Sequence, residues 1–349
     1  VRTINSDQPI VEPKSDLYFS TGSTLLNLAL TDKVNGGFVK RTMVNLIGDS
    51  SSGKTFLFLS LLAEAAHDER RKNYRLILDD VERANNFNVA KLFGQATADR
   101  IRPPRRDKDG EPIFSDTVQD FHDNLSRTTE RGKPFIYGLD SYDGLTSEEE
   151  QNKVEAQRKA REKGKDVPGS YGADKAKASS QILRSCISKI SKTDSLLVII
   201  SQTRANIGSM FTPKTRSGGM ALKFYATHEM WMSCEEKIRV NKRIIGVRSK
   251  IKVSKNKITG KIREVSVSIY YDMGIDDVGD CVDFLVDEGY WPHKKDQIKA
   301  NEFGGILKRD KLVRLIEDEG KESQLRSLVQ NAWTKIENSI LINRKKRYE

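Results

Sequence analysis

Short apolar runs alternate with longer amphipathic ones over most of the chain. Met43–Ile47, Arg75–Leu78, Phe135–Leu139 and Leu196–Ile200 read as strands, because each is a short apolar run bounded by polar or glycine-rich turns. Between them, Lys54–His67 and Ala173–Ile190 keep helical spacing. Alternation of this kind predicts a mainly parallel α/β sheet flanked by helices. After Gly219 the period shortens to two. Glu229–Ser233, Lys250–Ser254 and Glu264–Tyr270 predict an antiparallel extension, joined by turns such as Lys257-Ile258-Thr259-Gly260. From about residue 275, amphipathic runs at Val278–Glu288, Arg309–Glu319 and Ser323–Ile342 predict a small helical C-terminal domain, 275–349, with the basic tail Arg344-Lys345-Lys346-Arg347. Residues 1–17 are polar, aperiodic and interrupted by proline, so they read as an extended arm before a core at 18–274. Two stretches read as loops, 101–116 and about 150–172. The second is charged, poor in large apolar residues and broken by Pro168-Gly169. A loop of that length beside a compact core is functional or mobile.

Composition narrows the class. The chain has 349 residues and 37% hydrophobic content, enough for a real core and too much for a disordered chain. The net charge of +11 favours acidic partners such as nucleic acid. Its apolar runs fall far short of a bilayer span, so no membrane role is expected. Cys186, Cys234 and Cys281 are odd in number and far apart, which excludes a disulfide scaffold or a cysteine zinc site. A reducing cytoplasm, of a bacterial cell or a phage-infected host, is the expected location.

The strongest chemical signal is Gly48-Asp49-Ser50-Ser51-Ser52-Gly53-Lys54-Thr55, which follows an apolar strand and opens an amphipathic helix. That context makes it a triphosphate-binding loop. Its glycines permit a tight turn, and backbone N–H groups and the helix N-terminus face the phosphates. Lys54 is expected to reach the β- and γ-phosphates, and Thr55 to offer a hydroxyl to Mg²⁺. A nucleoside triphosphatase also needs a second carboxylate for the metal and a group to orient water. Asp140 closes an apolar strand and is the metal candidate. Glu82, beyond Leu76-Ile77-Leu78-Asp79-Asp80-Val81, is the candidate base. Asn256-Lys257-Ile258-Thr259 lacks the aspartate of a guanine-reading N-K-x-D element, so ATP is preferred over GTP. No arginine-rich lid of a small-molecule kinase is evident.

These residues resemble a known family, the bacterial RecA recombinases and above all their phage-type relatives. Ser20-Thr21-Gly22-Ser23 resembles the opening of the RecA core, Asp80-Val81-Glu82 its catalytic glutamate, and Leu139-Asp140-Ser141 its metal-side aspartate. Ser201–Ala226 is similar to the family's switch glutamine, Gln202, followed by its second DNA loop (203–219) and a G-G-x-A-L-K-F-Y-A segment. Lys255-Asn256-Lys257 resembles paired lysines that reach the ATP of a neighbouring protomer. The resemblance covers roughly residues 18–275. It implies a helical filament on single-stranded DNA, ATP and Mg²⁺ between protomers, and pairing with homologous double-stranded DNA. Gln202 would sense the γ-phosphate, and Lys255 and Lys257 would act in trans as an arginine finger does.

Chemistry also suggests a DNA path. A single strand needs cations and N–H groups toward phosphates and apolar wedges between bases. Segment 203–219 offers Arg204, Ile207, Gly208, Arg216, Gly218 and Gly219. Lys177, Ser180 and Arg184 fall on one helix face and match DNA-contacting positions of the family. The chain departs from the family in its longer first loop, in Gly172 where an apolar wedge is expected, and in Asn86 and Val89 where adenine contacts are expected. Two other readings remain open. One is another ATPase on this fold, such as a hexameric helicase; the other is a non-hydrolysing recombination mediator. Single-strand-binding and mediator partners fit the first reading, but no motif identifies them.

Overall fold

A computed structural model describes residues 16–163, 173–205, 214–216, 219–345 and 347–348. Ser23 accepts from the Leu26 N–H and starts α1 (Thr24–Thr31). Next come β1 (Thr42–Gly48), α2 (Lys54–His67), β2 (Arg75–Asp80) and β3 (Ile101–Arg102). α3 (Val118–Glu130) is a further helix, with few apolar residues but all on one face. A capping box between Thr117 and Asp120 opens it, and Phe121 and Leu125 bury one side. β4 (Phe135–Asp140) leads to α4 (Glu148–Glu162), and α5 (Ala173–Ser191) to β5 (Leu196–Ala205). Then follow β6 (Lys214–Arg216), α6 (Gly219–Tyr225), β7 (His228–Val240), β8 (Arg243–Asn256), β9 (Arg263–Tyr270) and β10 (Gly274–Ile275).

These strands make one mixed sheet, in the order β10-β9-β8-β7-β1-β5-β4-β2-β3, with β6 paired to β5. From β7 through β3 the pairs are parallel. From β7 outward through β10 they are antiparallel. The expected parallel core and antiparallel extension are therefore both present.

Alternation along the central strands splits the core between the two faces of the sheet. Met43, Ile77, Tyr137, Leu139, Leu197 and Ile199 meet α3 and α5. Val44, Leu46, Leu76, Ile136, Val198 and Ile200 meet α1 and α2. α2 is buried nearly all round, as a helix inside two layers must be. The end of the Phe58 ring of α2 faces Gly138, where a Cβ would stand 2.0 Å from it, so β4 needs glycine there.

The stretch expected to be a loop at 150–172 is helical over its first part. α4 has no buried residue, and its stability is local. Ser147 and Glu150 form a capping box, Glu148–Glu150 sit at the positive end of the helix dipole, and Arg158 pairs with Glu162 at 3.0 Å. Absence of apolar residues marked a segment that stands off the core, which is a different property from lack of helix. Residues 164–172 lie outside the described residues. Within 101–116 the structure adds β3 and a hairpin of Arg105–Arg106 with Pro112–Ile113.

Beyond β10, α7 (Asp277–Asp287), α8 (Arg309–Asp318) and α9 (Glu322–Ser339) follow the expected helices closely. The helical C-terminal segment also carries a small sheet that the sequence pattern does not announce. Antiparallel strands β11 (His293–Lys294), β12 (Gln297–Ala300) and β13 (Gly305–Lys308) lie between α7 and α8. Ile298 and Ala300 alternate inward from β12, a pattern too short to register in sequence. Val282, Trp291, Leu312 and Trp333 join the same apolar cluster as α1. Arg326 and the Thr24 N–H both meet the Asp277 carboxylate, at 2.9 and 2.6 Å. Among the described residues no helix is long and apolar enough to cross a membrane.

One buried acid in this region makes stability depend on pH. Asp280 of α7 accepts from the Ser268 N–H at 2.8 Å, and burial pushes its carboxyl up to about 7. Its folded pKa is raised, so its contribution is full below about pH 4 and is lost as pH rises through 7. The difference amounts to at most about 4 kcal/mol. Asp280→Asn is expected to raise the melting temperature by several degrees at pH 8 and hardly at pH 3.5. Thermal melts at the two pH values check this, and an equal shift at both would exclude the buried charge as the cause.

Candidate functional site

The parallel strands bring their C-terminal ends together on one edge. In register, Gly48 faces Gln202 across β1 and β5, and Asp80 faces Asp140 across β2 and β4. The loop 48–55 leaves β1 at that edge. Ser51 at φ 62° and Gly53 at φ 87° turn successive N–H groups into a concave nest that ends at the start of α2. Gly53 also has no room for a side chain, since a Cβ would stand 2.6 Å from Ile269.

Lys54 is buried, and its ammonium donates to the carbonyls of Gly48 at 2.9 Å and Asp49 at 2.7 Å. Burial lowers its pKa, against the pull of Asp140, Asp49 and Glu82. Thr55 Oγ1 donates to Asp140 Oδ2 at 2.7 Å. Burial pushes the Asp140 carboxyl up to about 6, and the charges of Glu82 and Asp80 add to the push. Ser141 donates to Glu82, and Gln202 Nε2 donates to the same Glu82 oxygen at 2.8 Å. Loop and strand are tied a second time by Thr203, which donates to Asp49. Lys54, Thr55, Glu82, Asp140, Ser141 and Gln202 thus form one connected constellation.

A model of the RecA N-terminal domain matches residues 154–276. The protein RecA of Geobacter sulfurreducens is 31% identical over 270 residues, covering 77% of this chain and 71% of that relative. RecA of Rhizobium leguminosarum is 30% identical over 290 residues, covering 83% and 74%. RecA of Syntrophobacter fumaroxidans is 30% identical over 275 residues, covering 77% and 71%. The chain belongs to the RecA family. Its mixed α/β sheet is a RecA-type core. The matched segment holds α5, Gln202, Lys255 and Lys257, and the phosphate loop precedes it.

The remaining RecA-like candidates divide. Lys255, on β8, and Lys257, just past its end, point the same way, as their spacing predicts. Lys255 donates to the carbonyls of Lys223 and Phe224, and Lys257 to Phe224 at 3.2 Å, so the pair caps the negative end of α6. Register places Ile251 opposite Met232 and Met232 opposite Gly48. At ~3.3 Å per residue, Lys255 and Lys257 stand about 13 and 20 Å along the strand from that level. A lysine side chain cannot cross that distance, so the pair does not serve the phosphate loop of its own chain.

On the DNA-side candidates, Arg204 is exposed and lies 3.8 Å from Asp143, whose other oxygen accepts the Gln202 N–H at 2.6 Å. Ser180 is half-buried, and Arg184 is exposed with its Nε donating to the Tyr225 hydroxyl at 3.2 Å. Lys177 lies on α5, Arg216 on β6 opposite Thr203, and Gly219 opens α6. Ile207, Gly208 and Gly218 lie outside the described residues.

Sequence reasoning missed two features. Asp143 anchors Gln202 through its backbone, which no motif announces. Beside the phosphate loop, a cavity of about 430 Å³ is lined by Phe56, Phe87, Val247 and Tyr271. Phe56 and Phe87 stack edge-on with centroids 4.5 Å apart, and Phe87 and Tyr271 expose 40% and 46% of their surfaces. Its open aromatic faces suit a flat, stacking group. Val89, where the chain departs from the family's adenine contacts, packs against the core and opens a short helix. Among the described residues no three His, Cys, Asp or Glu side chains cluster as a metal site. The Thr55 hydroxyl and Asp140 carboxylate still suit a hard cation that takes few protein ligands and its remaining oxygens from phosphates and water.

Proposed function

We propose that the chain is an ATP-dependent DNA recombinase that assembles as a filament on single-stranded DNA and pairs it with a homologous duplex. The observation that carries this reading is the Gln202–Glu82 hydrogen bond of 2.8 Å. It joins the group suited to orient water to a residue on β5, the strand that runs directly into segment 203–219. A DNA-induced shift of that segment therefore bears on the hydrolytic group without an intermediary. The division into a core, 18–274, and a C-terminal segment, 275–349, belongs to the same proposal.

Each residue then has a role. Lys54 and the loop N–H groups, Gly48 through Thr55, hold the triphosphate. Thr55 and Asp140 would hold Mg²⁺, which when bound offsets charge on the phosphate oxygens. Glu82, fixed by Ser141 and Gln202, orients the attacking water. Lys255 and Lys257 of an adjoining protomer neutralise the leaving phosphoryl. Arg204, Arg216, Lys177, Ser180 and Arg184, with Ile207, Gly208, Gly218 and Gly219, would line the DNA path. The family membership supports ATP, Mg²⁺, DNA and self-assembly as partners, and a cytoplasmic setting suits the reduced cysteines expected there.

ATPase assays with and without single-stranded DNA test the reading. Strong stimulation is expected, whereas hydrolysis indifferent to DNA would favour another RecA-fold motor. Glu82→Gln should retain ATP binding but slow hydrolysis by two to three orders of magnitude, about the value of one aligned polar group, leaving long-lived filaments. Disassembly at the wild-type rate would remove Glu82 from its role. The Asp140 carboxyl adds a pH signature. Only its ionised form binds metal, so apparent Mg²⁺ affinity should fall about tenfold per unit below pH 6. Metal titrations at pH 5, 6 and 7.5 check this; a flat profile would exclude Asp140 as a ligand.

A further inference from the structure

A concentration of arginine lies at the other end of the sheet. Arg75 begins β2 and Arg102 closes β3, while Arg127 and Arg131 stand at i and i+4 at the end of α3. Arg105 and Arg106 come from the hairpin beside them. Together they line two adjoining cavities of about 610 and 320 Å³, which share Pro104, Arg105, Arg106 and Arg131. Arg75 and Asp80 are the two ends of a six-residue strand, so the trough and the phosphate loop occupy opposite ends of the sheet.

None of the six arginines forms an ion pair among the described residues. The one carboxylate in the lining, Asp99, is engaged by Gln95 at 2.8 Å. Arg105 Nε is buried with no hydrogen-bond partner. Burial, and the charge of Arg131, lower the pKa of Arg75. The C-terminal dipole of α3 accounts for Arg127 and Arg131 at most. By contrast Arg100, also in the lining, is spent on the carbonyls of Ala66 and Arg71 and holds structure. Arg106 donates to the Gly110 carbonyl at 2.7 Å and Arg102 to that of Ile101 at 3.2 Å, but among the described residues no carboxylate pairs with any of the six.

We propose that this trough binds the phosphate backbone of a nucleic-acid strand, at a site separate from the surface around Gln202 and segment 203–219. Guanidinium forks on several elements suit a row of phosphates, and the connected cavities form an extended channel larger than a single anion. An acidic peptide is the weaker fit. β3 is the edge of the sheet, but Pro103 and Pro104 follow it directly and remove the backbone donors that an added strand would use. Tyr74 and Leu76 of the lining are buried and Ile113 is half-buried, which leaves little apolar surface to anchor a peptide. The identity of the polyanion rests on the proposed function; the cationic trough does not.

The test uses the full chain and the variant Arg102→Ala/Arg106→Ala/Arg131→Ala, whose three side chains are exposed. Fluorescent oligothymidylate is titrated against each across a sodium chloride series. With ~0.7 counterions released per single-strand phosphate, loss of three contacts should make the slope of log K against log salt shallower by about two. DNA-stimulated hydrolysis at saturating DNA should persist. An unchanged slope overturns the proposal. Selective loss of binding to a fluorescein-labelled oligoglutamate peptide reassigns the trough to an acidic protein. Loss of sedimentable assemblies with the slope intact reassigns it to a second copy of this chain. A wild-type chain that binds oligonucleotide without hydrolysing ATP overturns the proposed function alone, and the slope comparison still decides the trough. A wild-type chain that binds no oligonucleotide overturns both.

Discussion

Lys54→Ala is expected to reduce ATP hydrolysis at least a thousandfold while sparing much of the affinity for DNA. The ammonium is the only cationic side chain seated in the loop 48–55, and it is held at the loop's centre by the Gly48 and Asp49 carbonyls. In a loose phosphoryl-transfer transition state the protein acts mainly by placing charge against the phosphoryl oxygens, and a single such cation is worth about three to five orders of magnitude. Burial of Lys54 strengthens that effect, because a cation in low dielectric acts on a neighbouring anion with little screening. DNA affinity should survive in part, since the candidate contacts on α5 and around segment 203–219 lie on other elements. Steady-state ATPase and oligonucleotide binding check the two halves separately. Turnover near the wild-type rate would mean that the constellation around Glu82 and Asp140 is not the hydrolytic site.

The second large effect concerns an interface. Lys255→Ala with Lys257→Ala should leave nucleotide binding by single protomers nearly intact, yet remove DNA-stimulated hydrolysis by about a thousandfold. Both ammonium groups converge on the Phe224 carbonyl, so two like charges are held together at a helix end. They also stand far along the strand from their own phosphate loop. Anionic phosphate from an adjoining copy would relieve the repulsion between them. Mixing this variant with Lys54→Ala is the decisive measurement. Each alone should be inactive, but mixed assemblies contain interfaces that pair an intact loop with intact lysines. Recovery of hydrolysis supports catalysis in trans; no recovery despite demonstrated co-assembly would refute it.

The two predictions differ in how far the sequence alone supports them. Lys54 is legible because glycine spacing, an apolar strand and a helix start converge within one contiguous segment. The lysine pair is legible only through family resemblance, since two lysines near a turn are ordinary surface chemistry. Nor could local pattern show that Glu82 and Gln202, separated by 120 positions, share a hydrogen bond. That contact follows from strand order, which sets β5 beside β1 and β4 beside β2 at one edge.

Failures follow the same division. α4 was read as part of a loop because core-forming residues were sought, while its stability comes from a capping box and ion pairs within the helix. α3 was overlooked because its apolar positions are sparse, yet Phe121 and Leu125 suffice once the sheet supplies the other surface. Asn86 and Val89 mark where the chain departs from the family's adenine contacts, and the open aromatic surface beside the loop belongs to Phe87 and Tyr271, brought together from separate parts of the chain.

What the chain encodes locally is therefore its alternation of strands and helices, its phosphate loop and the candidate acids at strand ends. Each depends on neighbouring residues, whose period and backbone preferences are readable in order. Tertiary structure alone decided which acids meet which strands, that Asp143 holds Gln202, that Phe87 and Tyr271 frame a cavity, and that arginines from β2, β3, the hairpin and α3 form one trough. Those juxtapositions arise from parallel crossovers and sheet order, where residues far apart in sequence are set side by side by backbone hydrogen bonds, and no local pattern records them.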